Sequence, residues 1–339
     1  MYAGISRRDF LAGMAGLVSG CLTAPGIIPF FIGAVARESP KILTHFPALD
    51  GMLGGIEPSE LILLAGRPDT GKSLFALDLA TNISSIGERS VGYFSLWRSG
   101  EWVHRMLQNR LQEVRAPHVR ESVPAAGRTH RLLGFPATGK DDGVVWIDGA
   151  AFITMEECLE IARWMKTRKN VGIIVVDYLQ LMGCERSMDI SREQEIADQV
   201  RGFKSMAKDL GIPIILQSGL SRKIAYGRED RRPRLADALL LTTGGLGGYP
   251  DGNVEPCFDV VMFAYRNGCR FATCEGCVCH TDARGFACAF ADRRLITEII
   301  VAKNRHGATG TVEMKFDPRC QSFVARNGPT TVGAPSSSG

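Results

Sequence analysis

Leu61-Ile62-Leu63-Leu64-Ala65-Gly66-Arg67-Pro68-Asp69-Thr70-Gly71-Lys72-Ser73, with the helical run Leu74–Asn82 behind it, is the stretch that decides the fold. Residues 66–73 fit G-x-x-x-x-G-K-[ST] in full, between a β-branched and aliphatic strand and a helix. Each position has a chemical reason. Glycines let backbone N–H groups curl round phosphate oxygens, and the helix N-terminus adds positive potential. The pattern assigns Gly66, Arg67, Pro68, Asp69, Thr70 and Gly71 to the cradle, Lys72 to the β- and γ-phosphates, and the Ser73 hydroxyl to Mg²⁺. A phosphate site of this kind needs a second acid on the metal, at the end of a nearby hydrophobic strand. Asp177, closing Val171–Val176, fits that place, and the two strand ends are expected side by side.

Working outward, apolar β-branched runs recur at Val91–Leu96, Val144–Ile147, Pro213–Leu216, Val260–Ala264 and Ile296–Ala302. Near-continuous hydrophobic strands suit a parallel sheet covered on both faces. Helices fall between them, the clearest from Ser191 to Leu210, with Ser191 and Gln194 as a capping box and Gly211 as its stop. The expectation is an α/β core, mostly parallel with helices on both faces, closed by an antiparallel hairpin from Ile296–Lys303 and Thr311–Phe316. The composition agrees. In 339 residues, 45% are hydrophobic and 22% charged, which excludes global disorder. A net charge of +4 is too small to mark a nucleic-acid binder unless the basic residues cluster.

The order of motifs resembles the C-terminal motor domain of DnaB-type replicative DNA helicases. The resemblance rests on Gly66–Ser73, Asp177-Tyr178-Leu179-Gln180-Leu181-Met182, Leu220-Ser221-Arg222 and Ala302-Lys303-Asn304-Arg305-His306-Gly307-Ala308-Thr309-Gly310-Thr311. Phe46-Pro47-Ala48-Leu49-Asp50, with Gly54-Gly55, matches the start of that domain, so the likeness covers residues 41–325. It implies a RecA-like core, ATP and Mg²⁺ as cofactors, a hexameric ring, and ATP-driven movement on single-stranded DNA in replication. The primase-contacting N-terminal domain of full-length members has no counterpart here. Lys303 and Arg305 match the family's basic pair, which reaches the γ-phosphate bound by a neighbouring subunit.

Two positions depart from the family. It places a water-polarising glutamate after Ser-Leu, where this chain has Phe94-Ser95-Leu96 and then Trp97. It places a γ-phosphate-sensing glutamine where this chain has Gly219, with Gln217 two residues early. Glu101 replaces the base only if the local backbone is rearranged. An alternative to a working helicase is therefore a hydrolysis-impaired, nucleotide-gated DNA-binding or ring-forming relative. Arg222, Lys223, Arg228, Arg231, Arg232 and Arg234 form a basic cluster where the family's DNA-facing loop lies; it suits phosphate tracking without sequence readout. Beyond it, Ala238–Gly248 replaces the polar helix expected there.

Two segments stand apart. Residues 1–40 carry Ser6-Arg7-Arg8-Asp9-Phe10-Leu11, an uncharged run and Ala34-Val35-Ala36, together resembling a twin-arginine export signal. Pro25, Pro29 and five glycines argue against a permanent membrane span, and an apolar arm on a neighbouring subunit is the other reading. ATP and replicating DNA place the motor in the cytoplasm; the signal, if used, leads to the export machinery. Residues 256–292 form a Cys-rich insertion in which Cys269, Cys274, Cys277, Cys279, His280 and Cys288 offer a Zn²⁺ half-site, reduced thiols or disulfides. Residues 326–339 read as a disordered tail.

Overall fold

Apolar strands with no polar face need cover on both sides, and the computed structural model of the protein provides it. The structure describes residues 41–111, 119–137, 143–183, 191–220, 232–238, 254–266, 296–325 and 331–333. The twin-arginine segment, the cysteine cluster from Cys269 to Cys288, Arg222, Lys223, Arg228 and Arg231, and residues 326–330 and 334–339 of the expected disordered tail lie outside them; Thr331–Gly333 of that tail is instead a strand, paired with Thr309–Thr311.

In chain order the elements are α1 (Pro47–Leu53), β1 (Leu61–Gly66), α2 (Lys72–Ser85), β2 (Val91–Ser95), α3 (Gly100–Leu111), β3 (Val119–Ala125), β4 (Arg128–Pro136) and β5 (Val144–Asp148). Next come α4 (Met155–Lys169), β6 (Ile173–Asp177), α5 (Arg192–Leu210), β7 (Ile214–Gly219) and α6 (Leu235–Ala238). The chain closes with β8 (Val260–Tyr265), β9 (Ile296–Asn304), β10 (Thr309–Asp317), β11 (Ser322–Ala325) and β12 (Thr331–Gly333).

One sheet joins these strands in the order β11-β10-β9-β8-β1-β7-β6-β2-β5-β4-β3, with β12 on β10. The six strands from β8 to β5 are parallel, and both flanks are antiparallel. Alternation along β1 shows why both faces are greasy. Leu61, Leu63 and Ala65 pack with α4 and α5, whereas Ile62 and Leu64 pack with α1, α2 and α3. The expected hairpin is present as β9 and β10, turning through Arg305-His306-Gly307-Ala308.

Three further expectations need correction. β1 and β6 do not lie side by side, because β7 is inserted between them and pairs with both. The Ser191 cap forms only half a box: its hydroxyl accepts from the Gln194 amide at 3.2 Å, but the Gln194 side chain turns to Asp198. Gly211 does stop α5, at φ +63°. The third is the β3–β4 hairpin, for which no strand was expected. Its arginines dilute the apolar signal, and β3 buries only Val123 and Ala125.

The far edge folds back over α2. The Phe323 amide donates to Asp78 Oδ2 at 2.7 Å, and Arg110 Nε donates to Asp78 Oδ1 at 2.6 Å. Arg110 also donates to the carbonyls of Leu74 and Gln321. This buried pair fixes β11 against the P-loop helix, and burial pushes the Asp78 carboxyl up to about 6.

Candidate nucleotide site

The cradle is built from the end of β1. A side chain at Gly66 would meet the Ala264 carbonyl at 2.6 Å, so neighbouring β8 excludes one. Gly71 sits at φ +92°, and a Cβ there would lie 2.7 Å from the Phe323 ring. The loop braces itself: Thr70 Oγ1 and Lys72 Nζ both donate to the Arg67 carbonyl at 2.8 Å. α2 then starts at Lys72, directing its first unpaired amides at the loop.

Asp177 closes β6 on the face that carries α2. Although one strand separates it from β1, Ser73 Oγ donates to Asp177 Oδ1 at 3.2 Å. A hydroxyl and a carboxylate, both hard oxygens, fit Mg²⁺, which takes few protein ligands and keeps its waters. Two residues not assigned to the metal site from the sequence complete the surround. Tyr93 donates its hydroxyl to Asp177 Oδ2 at 3.1 Å, and Gln217 lies beside them, fully buried. Tyr93 sits in an apolar run that reads as plain core, and Gln217 reads only as a sensor glutamine two residues out of place. Burial holds the Asp177 carboxyl above its usual range.

On the outer side of the P-loop stand Arg266, Phe316 and Phe323. The Arg266 guanidinium donates to Thr297 Oγ1 at 2.9 and 3.0 Å and lies 5.8 Å over the Phe316 ring. Phe323 meets Phe316 at 5.3 Å and Phe75 at 6.0 Å. Nothing local marks these residues, since the sheet brings them from some 200 positions away.

Lys72 is largely buried, and that desolvation lowers its pKa to about 8. A triphosphate favours the ammonium form, so binding above that pH takes up a proton. Nucleotide affinity should hold from pH 7 to about 8 and then fall toward tenfold per unit, as one proton requires. Titrating a fluorescent ATP analogue between pH 7 and 9.5 measures this.

The two departures from the family stand in plain view. Leu96 donates its amide to the Asp177 carbonyl at 2.7 Å, so position 97 begins beside the site. Trp97 is 59% exposed, with its ring 6.3 Å from Tyr178 and the Arg98 guanidinium 5.8 Å over it. An indole accepts no proton. Glu101, in the first turn of α3, is exposed; Gly100 before it packs on Gly149 at the end of β5, away from the P-loop. The rearrangement that would bring it in is absent. Gly219 offers no side chain, and the Gln180 amide grips the strand end instead, donating to Ser218 Oγ at 2.6 Å and accepting from the Gly219 amide at 3.2 Å.

Lys303 and Arg305 lie elsewhere. Arg305 pairs with Asp259 at 2.8 Å, and Asp259 Oδ2 accepts the Leu61 amide at the opposite end of β1 from the P-loop. Six residues of strand, at about 3.3 Å each, separate the pair from its own cradle by roughly 20 Å. Lys303 is held by Glu255. Arg232, from the basic cluster, makes a bidentate pair with Glu298 at 2.8 and 2.9 Å. Cys257 carries a free thiol.

A parallel core of this order, with a P-loop at the end of β1 and an acid closing β6, defines a RecA-like P-loop domain. The ATPase domain of G40P shares the fold, with a TM-score of 0.61 at 22% identity, over 96% of this chain and all of that one. A DnaB-like replicative helicase, solved in a study of its interactions with primase, gives a TM-score of 0.60 at 25% identity, over 95% of this chain and 67% of that one. The chain belongs to the DnaB-like helicase C-terminal domain family, whose model matches residues 41–325. It is 33% identical over 295 residues to the replicative DNA helicase DnaB of Rickettsia conorii, covering 83% of this chain and 56% of that protein. It is 31% identical over 284 residues to the replicative DNA helicase DnaC of Bacillus subtilis, covering 84% and 56%. The chain thus spans about half the length of the curated relatives it matches.

Proposed function

We propose that this chain is an ATP-dependent DNA helicase motor of the DnaB type, residues 41–325 forming the motor, which binds Mg²⁺·ATP at Gly66–Ser73 and moves on single-stranded DNA. The observation that carries this reading is the Ser73–Asp177 contact at the mouth of a braced P-loop, in a chain of this family. Lys72 takes the phosphates, Ser73 and Asp177 take the cation, and the bound metal supplies neutralisation of phosphate charge. Arg266 and Phe316 offer a stacking surface beside the loop for the nucleobase. Lys303 and Arg305, far from their own cradle, serve the site of the next subunit in a six-membered ring. The basic residues from Arg222 to Arg232 follow the strand's phosphates; Arg232 does so after leaving Glu298.

A second reading is favoured by Trp97 and Gly219: a ring-forming, nucleotide-gated subunit whose hydrolysis is slow. Both readings place the work in the cytoplasm, where ATP and replicating DNA are. Among the described residues no helix is long and apolar enough to cross a membrane. Steady-state phosphate release with and without single-stranded DNA separates the two. The helicase reading expects DNA-stimulated turnover that Lys72→Ala abolishes; ATP binding with no turnover above background leaves only the second.

A further inference from the structure

Asp177 is touched by more polar chemistry than a magnesium ligand needs. Ser95 of β2 pairs with Asp177, and Val176 with Leu216 on β7, so Tyr93, Asp177 and Gln217 share the face of the sheet that holds α2. Tyr93 is 1% exposed and spends its hydroxyl on Asp177 Oδ2. Gln217 is 0% exposed, and neither its Nε2 nor its Oε1 has a hydrogen-bond partner. Asp177 and Gln217 are the next positions after the Val176–Leu216 pair on adjacent strands, so the amide stands beside the carboxylate.

A buried, unpaired polar group gives up its hydration with nothing in return and so destabilises the fold. Leu64, the register partner of Gln217 on β1, fills its own place on the same face without that cost. Interiors keep few such groups, and an unmet one calls for a water or an ion to complete it. The group beside Asp177 that brings polarised water is hydrated Mg²⁺, which retains several waters when protein-bound.

We propose that Tyr93 and Gln217 are positioning residues of the magnesium site, acting through Asp177, and that the Gln217 amide makes its missing hydrogen bonds when the hydrated cation enters. Tyr93 holds Oδ2, which leaves Oδ1 for Ser73 and the metal's shell. Gln217 Nε2 donates to the carboxylate, and its Oε1 accepts from metal-bound water, a strong donor. The assignment rests on the nucleotide-binding reading above.

The test uses the full chain with Gln217→Leu and Tyr93→Phe made separately, read by two measurements. One is thermal unfolding of the nucleotide-free protein. The other is binding of a fluorescent ATP analogue in EDTA and then in rising Mg²⁺. Gln217→Leu is expected to unfold at the same or a higher temperature, because an unmet polar group has been removed. In both variants the Mg²⁺ concentration giving half the gain in nucleotide affinity rises about tenfold, the usual effect of losing a metal site's supporting hydrogen bond. A midpoint within twofold of wild type in both variants overturns the proposal, and Tyr93→Phe decides alone if Gln217→Leu does not fold. Wild-type binding with no gain from Mg²⁺ overturns it too, while leaving nucleotide binding intact. Wild type that binds no nucleotide in either condition instead removes the reading beneath it.

Discussion

Replacing Trp97 by glutamate together with Gly219 by glutamine raises steady-state ATP turnover by about 10²–10⁴-fold, the usual contribution of an acid–base residue. The geometry favours recovery of the site. Position 97 follows Leu96, whose amide is bonded to the Asp177 carbonyl, so a carboxylate there emerges next to Asp177, the acid proposed to hold the metal. Trp97 is more than half exposed, and its removal opens no core cavity; the loss is a ring contact with Tyr178 and a stack with Arg98, the latter worth about 0.5–1 kcal/mol at an exposed site. At Gly219 a Cβ meets nothing within 4 Å, so a side chain can begin there without a clash at its root. Arg98 works against the gain, because a guanidinium beside the new carboxylate lowers its basicity. A third change, Arg98→Met, is therefore expected to raise turnover further. Phosphate release and nucleotide affinity, measured on the same preparations, check this. Unchanged turnover with unchanged affinity would mean that these two positions are not what limits the chemistry.

Much of this was open to a reader of the chain alone. Gly66–Ser73 announces itself because every residue is fixed by a local need, and Asp177 because a charge ending Ile173–Val176 has few other uses. The parallel strands were legible for the same reason: a strand buried on both faces is apolar throughout. What was hidden is what depends on strand order. No local feature says that β7 lies between β1 and β6, or that Phe323 comes back to touch Gly71. Tyr93 and Gln217 stand in mainly apolar strands, and only the register shows that both flank Asp177. The β3–β4 hairpin was missed because an edge strand exposed on one face dilutes the apolar count.

In the Trp97→Glu/Gly219→Gln background, Arg305→Ala is expected to lower turnover by about 10³-fold or more, the range for a cation supplied across an interface, with nucleotide affinity unchanged. The reason is position. Arg305 sits roughly 20 Å from its own cradle by strand rise, so its guanidinium cannot serve that phosphate and its loss leaves binding alone. Its present partner does not depend on it. Asp259 is also held by Lys204 at 2.5 Å and by the Leu61 amide, so it remains neutralised when Arg305 turns to a neighbour. Because the Arg305 side chain is 47% exposed, the pair adds little to stability, and the variant should unfold close to its parent's temperature. A mixing experiment then separates a shared site from a private one. Chains carrying Lys72→Ala bind no phosphate but still present Arg305; chains carrying Arg305→Ala bind phosphate but lack the cation. Mixed and allowed to exchange, they should recover part of the turnover that neither shows alone, since some interfaces then hold one intact half from each. Recovery absent under conditions where the two chains demonstrably assemble together would remove Arg305 from the neighbour's site and leave it as a surface partner of Asp259.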